Sequence, residues 1–296
     1  MNTPSRPRAT KIICTIGPAT DTSDMLGQLI EAGANVFRLN MSHSKHDWVR
    51  EVVFRIRRKA AELEANVAIL FDLQGPSIRT GDLAEPYHLK KGDTVEIRLG
   101  TAKPELPFST TVNYDGLLQD VQAGHTMVVD NGGILMRIAE VRPDRLICDV
   151  LTEGVFGSRR HINLPGVALR LPALTEKDLA DLAVAVECET DYVAMSFVRD
   201  AAHIAQLREH IDNLGGKAQI VAKIEDQQAV RHIDDIILAA DVIMVARGDL
   251  GIEVSIEELP IIQRRIVRHC HRLGRRCIVA THMLESMICL LYTSDA

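Results

Sequence analysis

Apolar residues along this chain recur at two spacings, and the change from one to the other marks its organisation. Residues 11–17 form a compact apolar run that reads as a strand. Asp21-Thr22-Ser23 then offers helix N-caps ahead of Met25, Leu26, Leu29 and Ile30 at helical spacing, and Gly33 ends that helix. A strand over 36–42, an arginine-rich amphipathic helix from about 46 to 63 and a strand over 67–72 extend this into a β-α-β-α-β series. Beyond Gly81 the pattern shortens. Segments 87–99, 126–141 and 145–156 are rich in Val and Ile and are separated by turn signals, Lys91-Gly92-Asp93 and Asp130-Asn131-Gly132-Gly133. With no helix-length period between them, residues 82–167 are expected to form a separate all-β module inserted into an α/β chain. Asn163-Leu164-Pro165-Gly166 reads as its exit linker.

At Thr175-Glu176-Lys177-Asp178 a sequence like a capping box reopens the helical period. Strands over 192–198, 219–225, 242–246 and 277–281 are then separated by helices near 201–214, 227–239 and 255–273. Repeated βα units either close into a (β/α)8 barrel or open into a doubly wound sheet. Ile16-Gly17-Pro18-Ala19-Thr20 after the first strand is no dinucleotide fingerprint, and polar residues recur at strand C-terminal ends. Both favour an α/β protein of the TIM-barrel type, incomplete at seven of eight strands. The expected divisions are 1–81 and 168–288 for the barrel, 82–167 for the insert and 289–296 for a tail.

With 296 residues, 46% of them hydrophobic and 25% charged, the chain can build a sizeable core and a second small domain. Its net charge of -6, from 34 basic and 40 acidic residues, gives no basic field. Nucleic acid and anionic membrane are thereby excluded as principal partners, and any phosphate site must be local. No apolar run approaches the length of a membrane span, and residues 1–10 have no apolar stretch of a signal peptide and read as a short flexible arm. Cys14, Cys148, Cys188, Cys270, Cys277 and Cys289 are scattered without metal-site spacing, which suits free thiols in a reducing cytoplasm.

The candidate chemistry sits at strand ends. Lys223 and Glu225, two apart, project to one face and form either a structural ion pair or a site. Arg38, Asn40 and Ser42 share a face by the same rule, and an arginine, an amide and a hydroxyl together suit an anion and a hard cation. Asp72 can complete that oxygen cage, and Arg79 stands at the root of the insert. Asp249, next to Gly248 and near Gly251, forms with Glu225 a two-carboxylate set suited to magnesium. A lysine beside such a metal points to phosphoryl charge rather than to glycosidase-type acid and base. Thr281 is the hydroxyl at the last strand end, and His282 reads as structural. His203, His210, His232, His269 and His271 read as solvated, and the basic run 50–59 as a solvated or subunit-facing surface.

Seven stretches in order, 11–18, 38–43, 72–81, 163–166, 223–225, 245–251 and 280–287, resemble the pyruvate kinase family. The resemblance implies transfer of a phosphoryl group from phosphoenolpyruvate to ADP, giving pyruvate and ATP, with magnesium or manganese and usually potassium. It implies that Lys223 stabilises the transferring group and that Glu225 and Asp249 hold magnesium. Arg38, Lys223, Gly248, Asp249 and Thr281 become substrate contacts, with Thr281 near where the enolate is protonated. Asn40, Ser42, Asp72 and the Leu73 carbonyl become the potassium cage, and Asn40, Met41, Ser42, His43, Arg79 and Arg160 the nucleotide contacts. The insert becomes a lid that excludes water. A cytoplasmic enzyme, homotetrameric at full length, is implied.

Three departures from the family pattern stand out. Leu73 replaces a common threonine, though a backbone carbonyl serves from either, and Ser77 stands where glutamate or lysine is usual, which leaves potassium dependence open. After Met287-Ile288 the family continues into an eighth strand and a C-terminal domain with effector sites and subunit contacts, whereas here residues 289–296 follow. The expectation is an N-terminal fragment with an unclosed barrel, open at its first and seventh strands, aggregation-prone and poorly active alone. The competing readings are a metal-dependent lyase, which gives no reason for the insert, Arg79 or Arg160, and a chain that only binds phosphoenolpyruvate and metal.

Overall fold

A computed structural model describes residues 9–281 apart from Asn131 and Ile256; the readings made for His282 and for the tail 289–296 lie outside the described residues. The chain runs β1 (Ile13–Ile16), α1 (Ser23–Glu31), β2 (Val36–Asn40), α2 (His46–Glu62), β3 (Ala68–Asp72). Short strands follow: β4 (Tyr87–Leu89), β5 (Thr94–Arg98), β6 (Phe108–Thr111), then one turn of helix, α3 (Leu117–Asp120). After it come β7 (Thr126–Val129), β8 (Ile134–Val141), β9 (Arg145–Val150), β10 (Gly154–Phe156) and β11 (Ile162–Asn163). The βα alternation resumes with α4 (Glu176–Glu187), β12 (Tyr192–Met195), α5 (Ala201–Asn213) and β13 (Gln219–Ile224). It continues through α6 (Gln227–Arg231), α7 (Ile233–Ala239), β14 (Val242–Ala246), α8 (Arg247–Glu253), α9 (Leu259–Arg272) and β15 (Arg276–Ala280).

The local signals act as their chemistry dictates. Thr22 caps α1 by accepting from the Met25 N–H at 3.3 Å. Thr175 and Asp178 form a full capping box at α4, side chain to backbone in both directions. Two expectations change. The helix expected over 227–239 is two helices, α6 and α7, meeting at His232. The helix expected over 255–273 begins at Leu259, with Pro260 in its first turn where a missing N–H costs nothing. A helix unforeseen in the sequence, α8, forms across Arg247-Gly248-Asp249-Leu250-Gly251 despite its two glycines; Leu250, wholly buried, anchors it.

The described residues divide into two compact units, one made of those up to 75 with 174–196 and 202–222, the other of 76–173, 197–201 and those from 223 on. In the first, β1, β2, β3, β12 and the start of β13 pair in parallel, with Asn40 opposite Asp72 and Met195 opposite Ala222. Phe37, Leu39, Ile69, Phe71 and Val193 on these strands are buried, and Val49, Val52, Val53, Ile56 and Ala60 give α2 its buried stripe. The arginines of α2 correct the solvated reading. Arg57 donates to the carbonyls of Val67 and Glu189 and pairs with Asp191 at 2.9 Å, while Arg50 forks onto Glu187.

In the second unit β14, buried at all five positions, pairs in parallel with β15. β13 crosses from one unit to the other, and the strand order is β1-β2-β3-β12-β13-β14-β15. A doubly wound sheet reverses its order at a switch point; this one never does, which is the winding of a (β/α)8 barrel, here incomplete among the described residues. The remaining strands form a sheet in the order β11-β7-β8-β9-β5-β6 and a pair, β10-β4. Their core is separate: Val95, Ile97, Met127, Met136, Ile138, Leu146, Cys148 and Phe156 cluster together. It also holds a charge. Glu96, fully buried, binds Arg145 at 2.8 Å and accepts from the N–H groups of Glu105 and Leu106. Cys14, Cys148, Cys188, Cys270 and Cys277 are free thiols, as their spacing implied.

Candidate active site

The sequence-selected residues fall into two groups, one in each unit. In the first unit the alternation of β2 sets Arg38 and Asn40 on one face, and parallel pairing brings Asp72 of β3 beside them. Arg38 Nε and Nη2 approach Asp72 Oδ2 at 2.7 and 2.5 Å, and Nη1 donates to Thr15 Oγ1 at 2.9 Å. Asp72 is only 1% exposed, so Arg38 supplies the charge that lets it stay buried. Asn40 Oδ1 accepts from the Ser42 N–H at 3.1 Å, and the Met41 N–H donates to the Asp72 carbonyl at 2.9 Å. The His43 N–H lies 3.5 Å from the Asn40 carbonyl, at the edge of hydrogen bonding. Asn40, Ser42, Asp72 and Leu73 are thus gathered at two neighbouring strand ends.

Two supporting residues here escaped the sequence reading. Ser196 Oγ donates to the Leu73 carbonyl at 2.7 Å, and Lys177 Nζ donates to the Met41 carbonyl at 2.7 Å while pairing with Asp181. Asp178, legible as a capping residue, also accepts from the Gly75 N–H at 3.0 Å and so fixes the turn after β3.

In the second unit the two side chains at the end of β13 form an ion pair. Lys223 Nζ lies 2.8 Å from Glu225 Oε1, and the other carboxylate oxygen accepts from the Phe197 N–H at 2.6 Å. Phe197 adopts φ +53°, a left-handed conformation that costs energy for a bulky residue and here aims its N–H at Glu225. Burial pushes the Glu225 carboxyl up to about 7; Lys223 opposes the rise and Asp249 adds to it. Glu225 and Asp249 therefore feel one another's charge, a cost that a cation removes.

Asp249, singled out for the glycines beside it, lies in the first turn of α8. Gly248 and Thr281 meet directly, the Gly248 N–H donating to Thr281 Oγ1 at 3.1 Å. Thr281 has φ +77°, rare for a β-branched residue, and Arg247 Nε holds the preceding carbonyl of Ala280 at 2.9 Å. Arg79 Nε donates to Ser77 Oγ at 3.3 Å and Nη1 to the Arg159 carbonyl at 3.1 Å. Ser77, the departure noted above, thus steadies Arg79. Arg160 reaches Asp130 at 3.2 Å across Gly157, where a Cβ would stand 2.8 Å from the guanidinium. His161, unforeseen, bridges to Arg79 in the backbone and packs its ring 5.9 Å from that of Phe197. Burial lowers its pKa, against Asp249 and with Arg79. Two histidines read as solvated are engaged: His232 Nδ1 lies 3.0 Å from the Arg199 carbonyl, and His269 Nδ1 is 2.5 Å from Asp234.

Residues 7–291 match the family model described as the pyruvate kinase barrel domain. Plastidial pyruvate kinase 2 of Arabidopsis thaliana is 41% identical over 288 residues, 96% of this chain and 49% of its own length. A pyruvate kinase of Clostridium perfringens is 40% identical, covering 94% of this chain and 59% of its own. One from Staphylococcus aureus is 37% identical, covering 95% and 48%. The chain spans about half the length of the curated relatives it matches.

Proposed function

The chain belongs to the pyruvate kinase family, and we propose on that premise that it carries the residues that move the phosphoryl group of phosphoenolpyruvate to ADP. The observation that carries this reading is the strand end where Lys223 stands 2.8 Å from Glu225, with the Asp249 charge acting on the same carboxylate. The P–O bond of the enol phosphate breaks, a bond from phosphorus to a terminal ADP oxygen forms, and the enolate takes a proton on carbon beside Thr281 to give pyruvate. Lys223 neutralises charge on the transferring group, and Arg38 and the Gly248 backbone orient the substrate. Asn40, Met41, Ser42, His43, Arg79 and Arg160 take the nucleotide, Arg160 from the β-rich insert, which acts as a lid against water.

The donor sets suit the ions of the family. Glu225 and Asp249 offer hard oxygens whose mutual repulsion magnesium or manganese relieves; held there, the ion supplies neutralisation of phosphate charge. Asn40, Ser42, Asp72 and the Leu73 carbonyl are all oxygen donors, and the carbonyl keeps a second lone pair beyond the one given to Ser196, which suits potassium. Because the proton on Glu225 competes with the metal, apparent magnesium affinity is expected to rise with pH, by up to about tenfold per unit, and to level off above about 7. Calorimetric titration of the chain with magnesium from pH 5.5 to about 8 measures this, and a flat profile would remove Glu225 from the metal set.

The reading extends to a cytoplasmic enzyme that is homotetrameric at full length; no described helix is long and apolar enough to cross a membrane. Pyruvate release with and without ADP tests the whole. ADP-dependent release is expected. Release without ADP would favour a lyase, and binding of phosphoenolpyruvate without turnover would leave a binding chain only.

A further inference from the structure

The chain leaves the β-rich sheets through residues 164–172, a stretch with no helix or strand of its own, and two charged side chains take up its backbone. Leu169 and Leu171 pack against the core of the sheets. Between them the Arg170 N–H donates to Asp120 Oδ2 at 3.0 Å, and Arg170 Nε donates to Asp120 Oδ1 at 2.6 Å. Asp120 ends α3; its side chain is 2% exposed and also accepts from the Tyr114 hydroxyl. The neighbouring carbonyls go elsewhere. Arg199 Nη1 donates to that of Leu169 at 2.7 Å, and Nη2 donates to those of Leu171 and, at 3.4 Å, Pro172.

Arg199 is 7% exposed, and burial pulls its guanidinium down from its ordinary value, against the charges of Asp226 and Asp200. A buried cation facing neutral carbonyls is unfavourable unless several converge on it, and a planar guanidinium presents enough N–H groups, in a fork, to take three at once. The backbone of the same residue is fixed as well. Its carbonyl lies 3.0 Å from His232 Nδ1, where α6 meets α7. Two positions earlier, Phe197 holds φ +53°, with its N–H 2.6 Å from Glu225 Oε2 and its ring 5.9 Å from that of His161. A bulky residue keeps such a conformation only where its surroundings over-determine it, and Arg199 fixes the chain just beyond.

We propose that Arg199 is a positioning residue: it grips the exit linker at one end of residues 197–199 while Phe197 grips Glu225 at the other, so that the set of the Glu225 carboxylate follows the seating of the linker. Its significance for phosphoryl transfer rests on Glu225 holding a metal, as proposed above; the coupling itself does not. Release of the linker carbonyls frees Arg199 to move, Phe197 relaxes out of its left-handed conformation, and its N–H leaves the carboxylate. Asp120 seats the same linker from the side of the sheets. It therefore offers a way to unseat the linker with residues 197–199 unaltered.

Hydrogen exchange of the full 296-residue chain, without metal or substrates, reads the coupling. The chain has six phenylalanines, so labelling with heavy-nitrogen phenylalanine gives six amide signals in a magnetic-resonance spectrum, and the one lost in F197L belongs to Phe197. R199K keeps the charge but cannot fork onto three carbonyls. It is expected to speed exchange in peptides covering 164–171, and at the Phe197 amide, by about tenfold each. D120A unseats the linker from the other side and is expected to do the same to both. D120N keeps the shape and one acceptor, so it must show a smaller rise of the same kind, whatever D120A does to folding. A merely structural Arg199 would let the linker loosen with the Phe197 amide unmoved. Unchanged linker exchange in R199K, or wild-type protection of Phe197 in D120A and D120N alike, would overturn the proposal. A chain with the expected exchange pattern that binds no magnesium would instead count against the proposed function alone.

Discussion

Replacing Lys223 with methionine is expected to lower phosphoryl transfer by at least about 10³-fold while leaving magnesium binding largely in place. Methionine keeps the length and apolar stem of lysine, so the fold around β13 is retained and only the cation goes. The ammonium has two neighbours in this reading, the Glu225 oxygen 2.8 Å away and the phosphoryl group. Its loss removes one of the forces that keep the Glu225 carboxyl from rising further, so the metal titration belongs at about pH 8. Pyruvate release and calorimetric magnesium titration on the same preparation separate the outcomes. Loss of transfer alone assigns Lys223 to the phosphoryl group; loss of both returns the pair to a structural role.

The second large effect is on stability. Asp72→Ala is expected to destabilise the chain by about 3 kcal/mol, measured by urea unfolding, and to abolish any activation by potassium. Asp72 is buried and receives two nitrogens of Arg38, so its removal leaves a half-buried guanidinium with only Thr15. Asp72→Asn keeps the shape and one acceptor, so its loss is expected to be smaller in stability and as complete in potassium response. Equal stability of both variants and wild type would mean that Arg38 is held from elsewhere.

What could be read from the sequence was what depends on neighbours along the chain. Period two placed Arg38 with Asn40 and Lys223 with Glu225, because strand geometry alone decides which side chains share a face. The Thr175 capping box was legible for the same reason. What was lost depends on residues far apart. Ser196 on the Leu73 carbonyl spans 123 positions, and Phe197 turns its N–H to Glu225 only because the folded chain enforces a left-handed residue there. Helix α8 was missed because its two glycines disfavour a helix locally, and only the burial of Leu250 in the folded chain offsets them. His232, His269 and the arginines of α2 looked solvated because polar residues on helices usually are; each finds a carbonyl or carboxylate that no local pattern announces.

The Glu96–Arg145 pair gives the β-rich sheets an acid limit of their own. Burial works to raise the Glu96 carboxyl, but Ser109, the N–H groups of Glu105 and Leu106, and Arg145 outweigh it and hold it below its ordinary value. A carboxylate so depressed contributes stability above the ordinary range and loses it as pH falls through its folded value. Glu225 and Glu253 have the opposite sign: their pKa values are raised, so they favour the fold most at low pH and withdraw that support as pH climbs toward about 7. Acid is therefore expected to withdraw from the β-rich sheets the support that the Glu96–Arg145 pair gives them, and with it the frame from which Arg160 reaches Asp130.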